Sequence, residues 1–284
     1  MNNKSTKTKE IFNKIIDGVS IIVESGEYTN FLKFSKYFHN YSFNNIVLIY
    51  SQMEDATQVA GFKTWEKMGR KLKKGAKGIQ IIYPVKKKYT TTIKGQKNLL
   101  DNEDETQTEK TIEYLTYRPT YVFDISQTIG EPLPLENTRL NSNNMKDFFE
   151  FLQSYSPYPI TEQNLSNVQG YWNSKNKQIV LKKNLSIDDK VSVLLHELTH
   201  ALYDDFDYKE ERNLSETFVE SVAFIVADYF GLDTSMCSFN YITSWAKGDI
   251  KIVLELGNKI QKTANDFINK LEKNYQNTNL KLVS

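Results

Sequence analysis

Residues 191–203 read V-S-V-L-L-H-E-L-T-H-A-L-Y, an H-E-x-x-H pattern inside an apolar run. Val191, Leu194, Leu195, Leu198 and Leu202 fall at helical spacing on one stripe, which would face a core. His196 and His200 are four apart, so they stand one turn above each other on the opposite side of that helix. Two imidazoles so placed reach one tetrahedral Zn²⁺ at about 2.0–2.1 Å. Glu197 lies beside them, rotated around the helix, where it takes a proton from water at the metal rather than binding the metal itself. Two of the chain's three histidines are in this motif. The other, His39, sits in an aromatic segment far upstream and reads as a packed or surface residue.

Zinc needs a third protein ligand, with the fourth position left to water. Cys237, the single cysteine, is a poor candidate because a thiolate is not the usual partner of this motif. Glu216 is a better one. It lies with Glu220 one turn apart on a long helix predicted over 214–231, and Ala223 and Ala227 continue the same face, small enough for close approach to the histidine helix. Glu216 would then bind the metal and Glu220 would hold a ligand histidine from outside. Two alternatives stand: Glu216 in a capping box with Asn213, and Glu220 as the ligand in its place. Tyr171, Tyr203 and Tyr229 are available to stabilise an oxyanion, with no reason to choose among them.

The elements that position these residues follow from periodicity. Ser186 is an N-cap candidate for the active helix, with Asp188 and Asp189 in its first turn. Residues 170–173 and 177–181 read as a hairpin, and a helix starts near Asn144. Upstream, Ile11, Ile15, Val19 and Ile22 mark an amphipathic helix, and most of Phe31, Phe34, Phe38 and Phe43 should be buried. Thr64 is a candidate N-cap before Trp65. Residues 70–78 form a basic, glycine-punctuated turn leading into a strand over 79–85. Such a run is either a solvated face or a phosphate-contacting edge beside stacking aromatics, which would involve Arg70, Lys71, Lys73, Lys74, Lys77 and Trp65. Residues 86–114 read as a flexible polar insertion, a long hairpin or a disordered loop, between that strand and a second one over 119–124. Residues 131–144 read as a linker. Two helices are expected within 240–274, with a loose tail from Gln276.

Composition sets the outer bounds. The 284 residues suffice for two domains, and a hydrophobic content of 39% supports a core. The net charge of +1 points to no particular partner. One cysteine excludes a disulfide scaffold and fits a reducing cytoplasm. The N-terminus lacks a secretory h-region, and no run of about 18 apolar residues is present, so no membrane span is expected.

The ordered motifs Y-S-F-N-N at 41–45, Gln52, A-G-F at 60–62 with Trp65, K-G-A-K-G-I at 74–79 and V-F-D-I-S-Q-T at 122–128 resemble the N-terminal domain of ArdC-like and LtrC-like antirestriction proteins, which plasmids, transposons and phages carry. The resemblance covers about residues 8–130 and implies single-stranded DNA binding. The E-x-x-x-E spacing after H-E-x-x-H is similar to gluzincins and to the ImmA/IrrE and ArdC metallopeptidase domains, which implies Glu216 as ligand and Glu220 outside it. The expected architecture is α+β with two domains. Residues 8–130 would be an α+β single-strand-binding domain, with the insertion at about 86–114. Residues 145–275 would be a mostly helical zincin-like (gluzincin) domain with a small sheet. The expected function is that of a mobile-element protein that binds single-stranded DNA and hydrolyses an unknown peptide or protein with zinc. The alternatives are a non-proteolytic protector of single strands with a structural zinc, and a regulatory peptidase that cleaves a repressor.

Overall fold

The computed structural model describes residues 3–26, 28–94, 107–133, 145–232 and 250–283, and side chains within 9–26, 28–90, 110–133, 145–232 and 250–275. Helix α1 (Asn3–Glu24) buries the predicted stripe Ile11, Ile15, Val19 and Ile22. Helices α2 (Tyr28–Ser35) and α3 (Phe43–Tyr50), with the 3₁₀ turn between them, bury Phe31, Phe34, Phe38 and Phe43. Phe31 meets Phe43 and Tyr50 edge to face, each at 5.6 Å between centroids, an arrangement that suits the ring quadrupoles.

Strand β1 (Val59–Ala60), helix α4 (Phe62–Lys67) and strand β2 (Lys71–Leu72) lead into strands β3 (Ile79–Lys94), β4 (Gln107–Asp124) and β5 (Thr128–Ile129). Strand β4 lies between β1 and β3, antiparallel to both, and β2 pairs with β5. The N-cap of α4 is Gly61 rather than Thr64. The Gly61 carbonyl accepts the amides of Thr64 and Trp65, so Thr64 already lies inside the first turn. Asp124 is buried, and its carboxylate accepts the amides of Thr57, Gln58 and Ser126. It thereby ties the end of β4 to the segment that enters β1. Two side-chain amides, one on α3 and one just past its end, take the place of a strand along the outer edge of β3. Asn45 exchanges hydrogen bonds of 2.9 and 3.0 Å with the main chain of Ile82. Gln52, two turns on, exchanges bonds of 3.0 and 2.9 Å with that of Gln80. These bonds satisfy an edge that would otherwise invite pairing with another chain.

The predicted insertion is largely regular structure. The β3–β4 register runs from Ile79 opposite Val122 to Lys94 opposite Gln107, so 86–94 and 107–114 are strand. The second strand starts at Gln107, not Pro119. Of the two readings, long hairpin and disordered loop, it is the hairpin that forms: Tyr, Thr and Ile are strand formers, and cross-strand pairing holds them in register. The tip, 95–106, is outside the described residues.

Helix α5 (Met145–Tyr155) buries Phe148, Phe149 and Leu152. Strands β6 (Ile160–Gln163), β7 (Gly170–Asn173) and β8 (Gln178–Lys182) form a sheet in the order β6-β8-β7. The predicted hairpin is the β7–β8 pair, and Ile179, Val180 and Leu181 of the middle strand are fully buried. Helices α6 (Ile187–Tyr203), α7 (Arg212–Tyr229) and α8 (Ile250–Val283) complete the fold. Residues 250–283 form one helix that takes in the expected tail from Gln276, while 240–249, where the first of the two expected helices would begin, lie outside the described residues. Val253, Leu256, Ile260, Ala264, Phe267, Ile268 and Leu271 keep a single buried stripe with no stop signal to end it. Gly257 within it is a close-approach site, since a Cβ there would lie 2.5 Å from Cζ of Phe43. Cys237, Trp245 and most of the expected linker are outside the described residues.

The N-terminal helices and the C-terminal ones share one core. The Tyr28 hydroxyl lies 3.1 Å from Oγ of Ser221, Lys36 pairs with Asp228 at 2.9 Å, and Gln261 donates to the His39 carbonyl at 3.0 Å. No helix among the described residues is long and apolar enough to cross a membrane.

Candidate metal centre

Ser186 caps α6, its hydroxyl accepting the amide of Asp189, and Asp188 and Asp189 face the positive end of the helix dipole. Val191, Leu194, Leu195 and Leu198 are fully buried, which fixes how α6 is rotated. That rotation puts His196 and His200 on the other side, with ring centroids 4.9 Å apart. Gly170 lets β7 come up against α6, because a Cβ there would lie 2.5 Å from Cγ1 of Val193. As a result Glu197 is buried and accepts the backbone N–H of Trp172.

Helix α7 brings Glu216 to the same point. Its Oε2 lies 3.7 Å from Nε2 of His196 and 3.7 Å from Nε2 of His200. Donors bound at about 2.0–2.1 Å around a tetrahedral ion are roughly 3.3 Å apart, so the three atoms surround a position that a small contraction would make ideal. Two neutral imidazole nitrogens and one carboxylate oxygen are a donor set that suits a divalent transition ion. Among the described residues, His196, His200 and Glu216 are the one group whose ligand atoms all lie within 4.8 Å of one another.

The surrounding groups set the charge states. Asp204, the residue that ends α6, accepts from Nδ1 of His200 at 2.8 Å and from Oγ of Ser215 at 2.7 Å. One proton is therefore fixed on Nδ1, and it is loss of the other that would turn the Nε2 lone pair to the centre. Burial alone would lower His200, but its bonds to Asp204 and Glu216 outweigh burial and hold it at about 9. His196 is lowered by burial and then by the charge of His200. Burial acts against ionisation of Glu216, yet His200 and Tyr208 hold its carboxyl below the usual range. Glu197 is pushed up to about 7 by burial, so it changes protonation near neutrality.

Several residues differ in role from the sequence expectation. It is Asp204, not Glu220, that is hydrogen-bonded to His200. Oε2 of Glu220 is buried without a hydrogen-bond partner among the described residues, and burial, then Glu216, pushes its carboxyl up to about 7. Tyr208, on the segment between α6 and α7, donates its hydroxyl to Oε1 of Glu216, and its ring centroid is 6.3 Å from that of His200. Neither Asp204 nor Tyr208 was singled out from sequence. The i, i+4 spacing of Asp204 after His200 was the available signal for the first, and local sequence held none for the second. Tyr229 turns away to Glu272 of α8 at 2.7 Å, and Tyr203 packs on Phe267 at 5.2 Å. Tyr171 remains on β7 beside Trp172. His39 is a packed residue, edge-on to Tyr229 at 4.9 Å.

The basic turn is divided. Trp65 is 1% exposed and its indole N–H donates to the Phe123 carbonyl at 2.8 Å, so it is a core residue and not a stacking platform. Arg70 is also turned inward, bonded to Oγ1 of Thr128 at 2.7 Å and to the carbonyls of Gly130 and Glu131. Lys71, Lys73, Lys74 and Lys77 are exposed, and Lys73 donates to the Ser126 carbonyl at 2.7 Å.

Residues 2–123 match the family of the N-terminal domain of anti-restriction factor ArdC, and residues 159–239 match the IrrE N-terminal-like domain of peptidase family M78. An uncharacterised protein of Bacillus anthracis, pXO2-81, is 28% identical over 94% of this chain, which spans 51% of that protein's length. The fold is similar to the antirestriction ArdC protein from the R388 plasmid. The TM-score to its metal-free crystal structure is 0.50 at 19% identity, covering 82% of this chain and 86% of that one. The Mn(II)-bound structure gives 0.50 at 18%, covering 82% and 89%.

Proposed function

The chain has the two-domain make-up of an ArdC-like antirestriction protein, and from that premise we propose a mobile-element protein that binds single-stranded DNA and hydrolyses a peptide bond with zinc. DNA binding is assigned to residues 8–130 and hydrolysis to residues 145–275, with the protein acting in the cytoplasm. The observation that carries the peptidase reading is the convergence of His196, His200 and Glu216 with Glu197 alongside. A structural zinc site has no need of a buried carboxylate, placed as a general base, beside its ligands.

A divalent ion held by His196, His200 and Glu216 would acidify water and polarise a peptide carbonyl. The rest belongs to the chain. Glu197 accepts a proton from the attacking water and returns it to the leaving amine. Asp204 keeps the His200 ring in the tautomer whose Nε2 faces the centre, and Tyr208 steadies Glu216. Strand β7 lies at the edge of its sheet next to α6, where its main chain can hold an extended peptide by strand addition. The antirestriction protein from R388 has been crystallised with Mn(II), so metal identity belongs among the tests.

The discriminating variant is Glu197→Gln. It should retain one equivalent of zinc and lose turnover by about 100-fold or more. Metal content read by elemental analysis, alongside cleavage of a peptide library, decides the outcome. Protein purified without a stoichiometric divalent ion, or a variant as active as the parent, would remove the hydrolase.

A further inference from the structure

The β3–β4 hairpin continues well past the core as a two-stranded arm. Residues directly opposite in an antiparallel pair share a face. On one face Tyr83 is opposite Arg118, Lys87 is opposite Tyr114 and Tyr89 is opposite Ile112, with Lys110 two residues further along β4. Tyr83, Tyr114 and Tyr89 are 40%, 47% and 59% exposed, and Lys87, Lys110 and Arg118 are exposed as well. Among the described residues this face carries no carboxylate. The arm's two acids, Glu109 opposite Thr92 and Glu113 opposite Lys88, fall on the other face by register, and Glu113 pairs with Lys88 at 2.8 Å. A face kept only for solubility mixes charge signs and exposes few large rings. Here cations alternate with flat rings over the six residue steps from Tyr83 to Tyr89, roughly 20 Å of strand at about 3.3 Å per residue.

Taking single-strand binding by the N-terminal domain as given, we propose that single-stranded DNA lies along this face, its bases stacked on Tyr83, Tyr114 and Tyr89 and its phosphates against Lys87, Lys110 and Arg118. Charge complementarity calls for a polyanion. The exposed rings call for bases that are not already stacked on one another, which a duplex does not offer. The inward turn of Trp65 and Arg70 removes them from the competing surface at residues 70–77.

The test is anisotropy of labelled oligo-dT, a matched duplex and oligo-U across a salt series, using the full chain. Two triple variants alter the arm: Tyr83→Ala with Tyr89→Ala and Tyr114→Ala, and Lys87→Gln with Lys110→Gln and Arg118→Gln. All six positions are exposed, and circular dichroism checks the fold. A third variant changes the three tyrosines to Phe, and a fourth changes Lys71, Lys74 and Lys77 to Gln. Each arm triple is expected to weaken oligo-dT binding by about 10-fold or more. The charge triple should also flatten the slope of log K against log salt by about 2. The Phe variant should bind like the parent, and the Lys71/Lys74/Lys77 variant should lose less than either arm triple. A parent that binds oligo-dT while both arm triples bind equally well overturns the assignment of the face and leaves the single-strand reading standing. A parent that binds no oligo-dT, or binds duplex or oligo-U as tightly, overturns both.

Discussion

At the residue scale, His196 and His200 are alike in type and opposite in environment. Asp204 stands behind His200, while burial and a charged neighbour depress His196. Folded His200 sits at about 9 against about 6.5 unfolded. In the metal-free chain its contribution to stability is therefore full below the unfolded value and is lost as pH rises through the folded one. A cation at the centre must displace that proton. Binding at neutral pH should release about one proton, and affinity should climb until pH reaches about 9. Calorimetry in buffers of different ionisation enthalpy measures this directly, and binding with no proton release would refute the Asp204–His200 pairing. Tyr208→Phe removes the hydroxyl that steadies Glu216, so metal affinity in a chelator competition should fall by about 10-fold. An unchanged affinity would show that Glu216 holds its position alone.

At the element scale, two glycines set how closely the layers approach. Gly170 seats β7 against α6 and so brings the Trp172 amide to Glu197. Gly257 admits the Phe43 ring into the face of α8. A methyl group at position 257 would raise local helix propensity, but it meets Phe43 at 2.5 Å. Overpacking of this kind costs about 1–3 kcal/mol, more than the roughly 1 kcal/mol that Gly to Ala gains in a helix. Gly257→Ala should therefore lower the melting temperature, and a stabilised variant would show that α3 and α8 are not docked as described.

At the scale of the whole molecule, α1, α2 and α3 do not form a separate core. They pack on α7 and α8, and Tyr28 to Ser221, Lys36 to Asp228 and Gln261 to His39 join the halves. Helix α7 carries Glu216 on one side and meets α2 through Ser221, so the candidate metal centre and the N-terminal half share a supporting element. Unfolding by denaturant should be a single transition, with Trp65 fluorescence and the near-ultraviolet signal of the C-terminal half moving together. Two separated midpoints would show independent domains.

Local periodicity alone made several features legible. The buried stripe of α1, the aromatic core residues, the Ser186 cap and the facing of His196, His200 and Glu197 all depend on spacing along one element, which the chain states outright. Of the two readings open for the arm, long hairpin and disordered loop, polarity could not choose and strand pairing does, and the end of α8 read as a loose tail because its residues from Gln276 to Asn279 are polar. What only the tertiary structure decided are the meetings between elements: Glu216 with the two imidazoles, Asp204 and Tyr208 behind them, Trp65 and Arg70 turned inward, and three tyrosines on one face of the hairpin. Those depend on helix rotation, strand register and the close approaches at Gly170 and Gly257, which are set by packing between segments far apart in the chain.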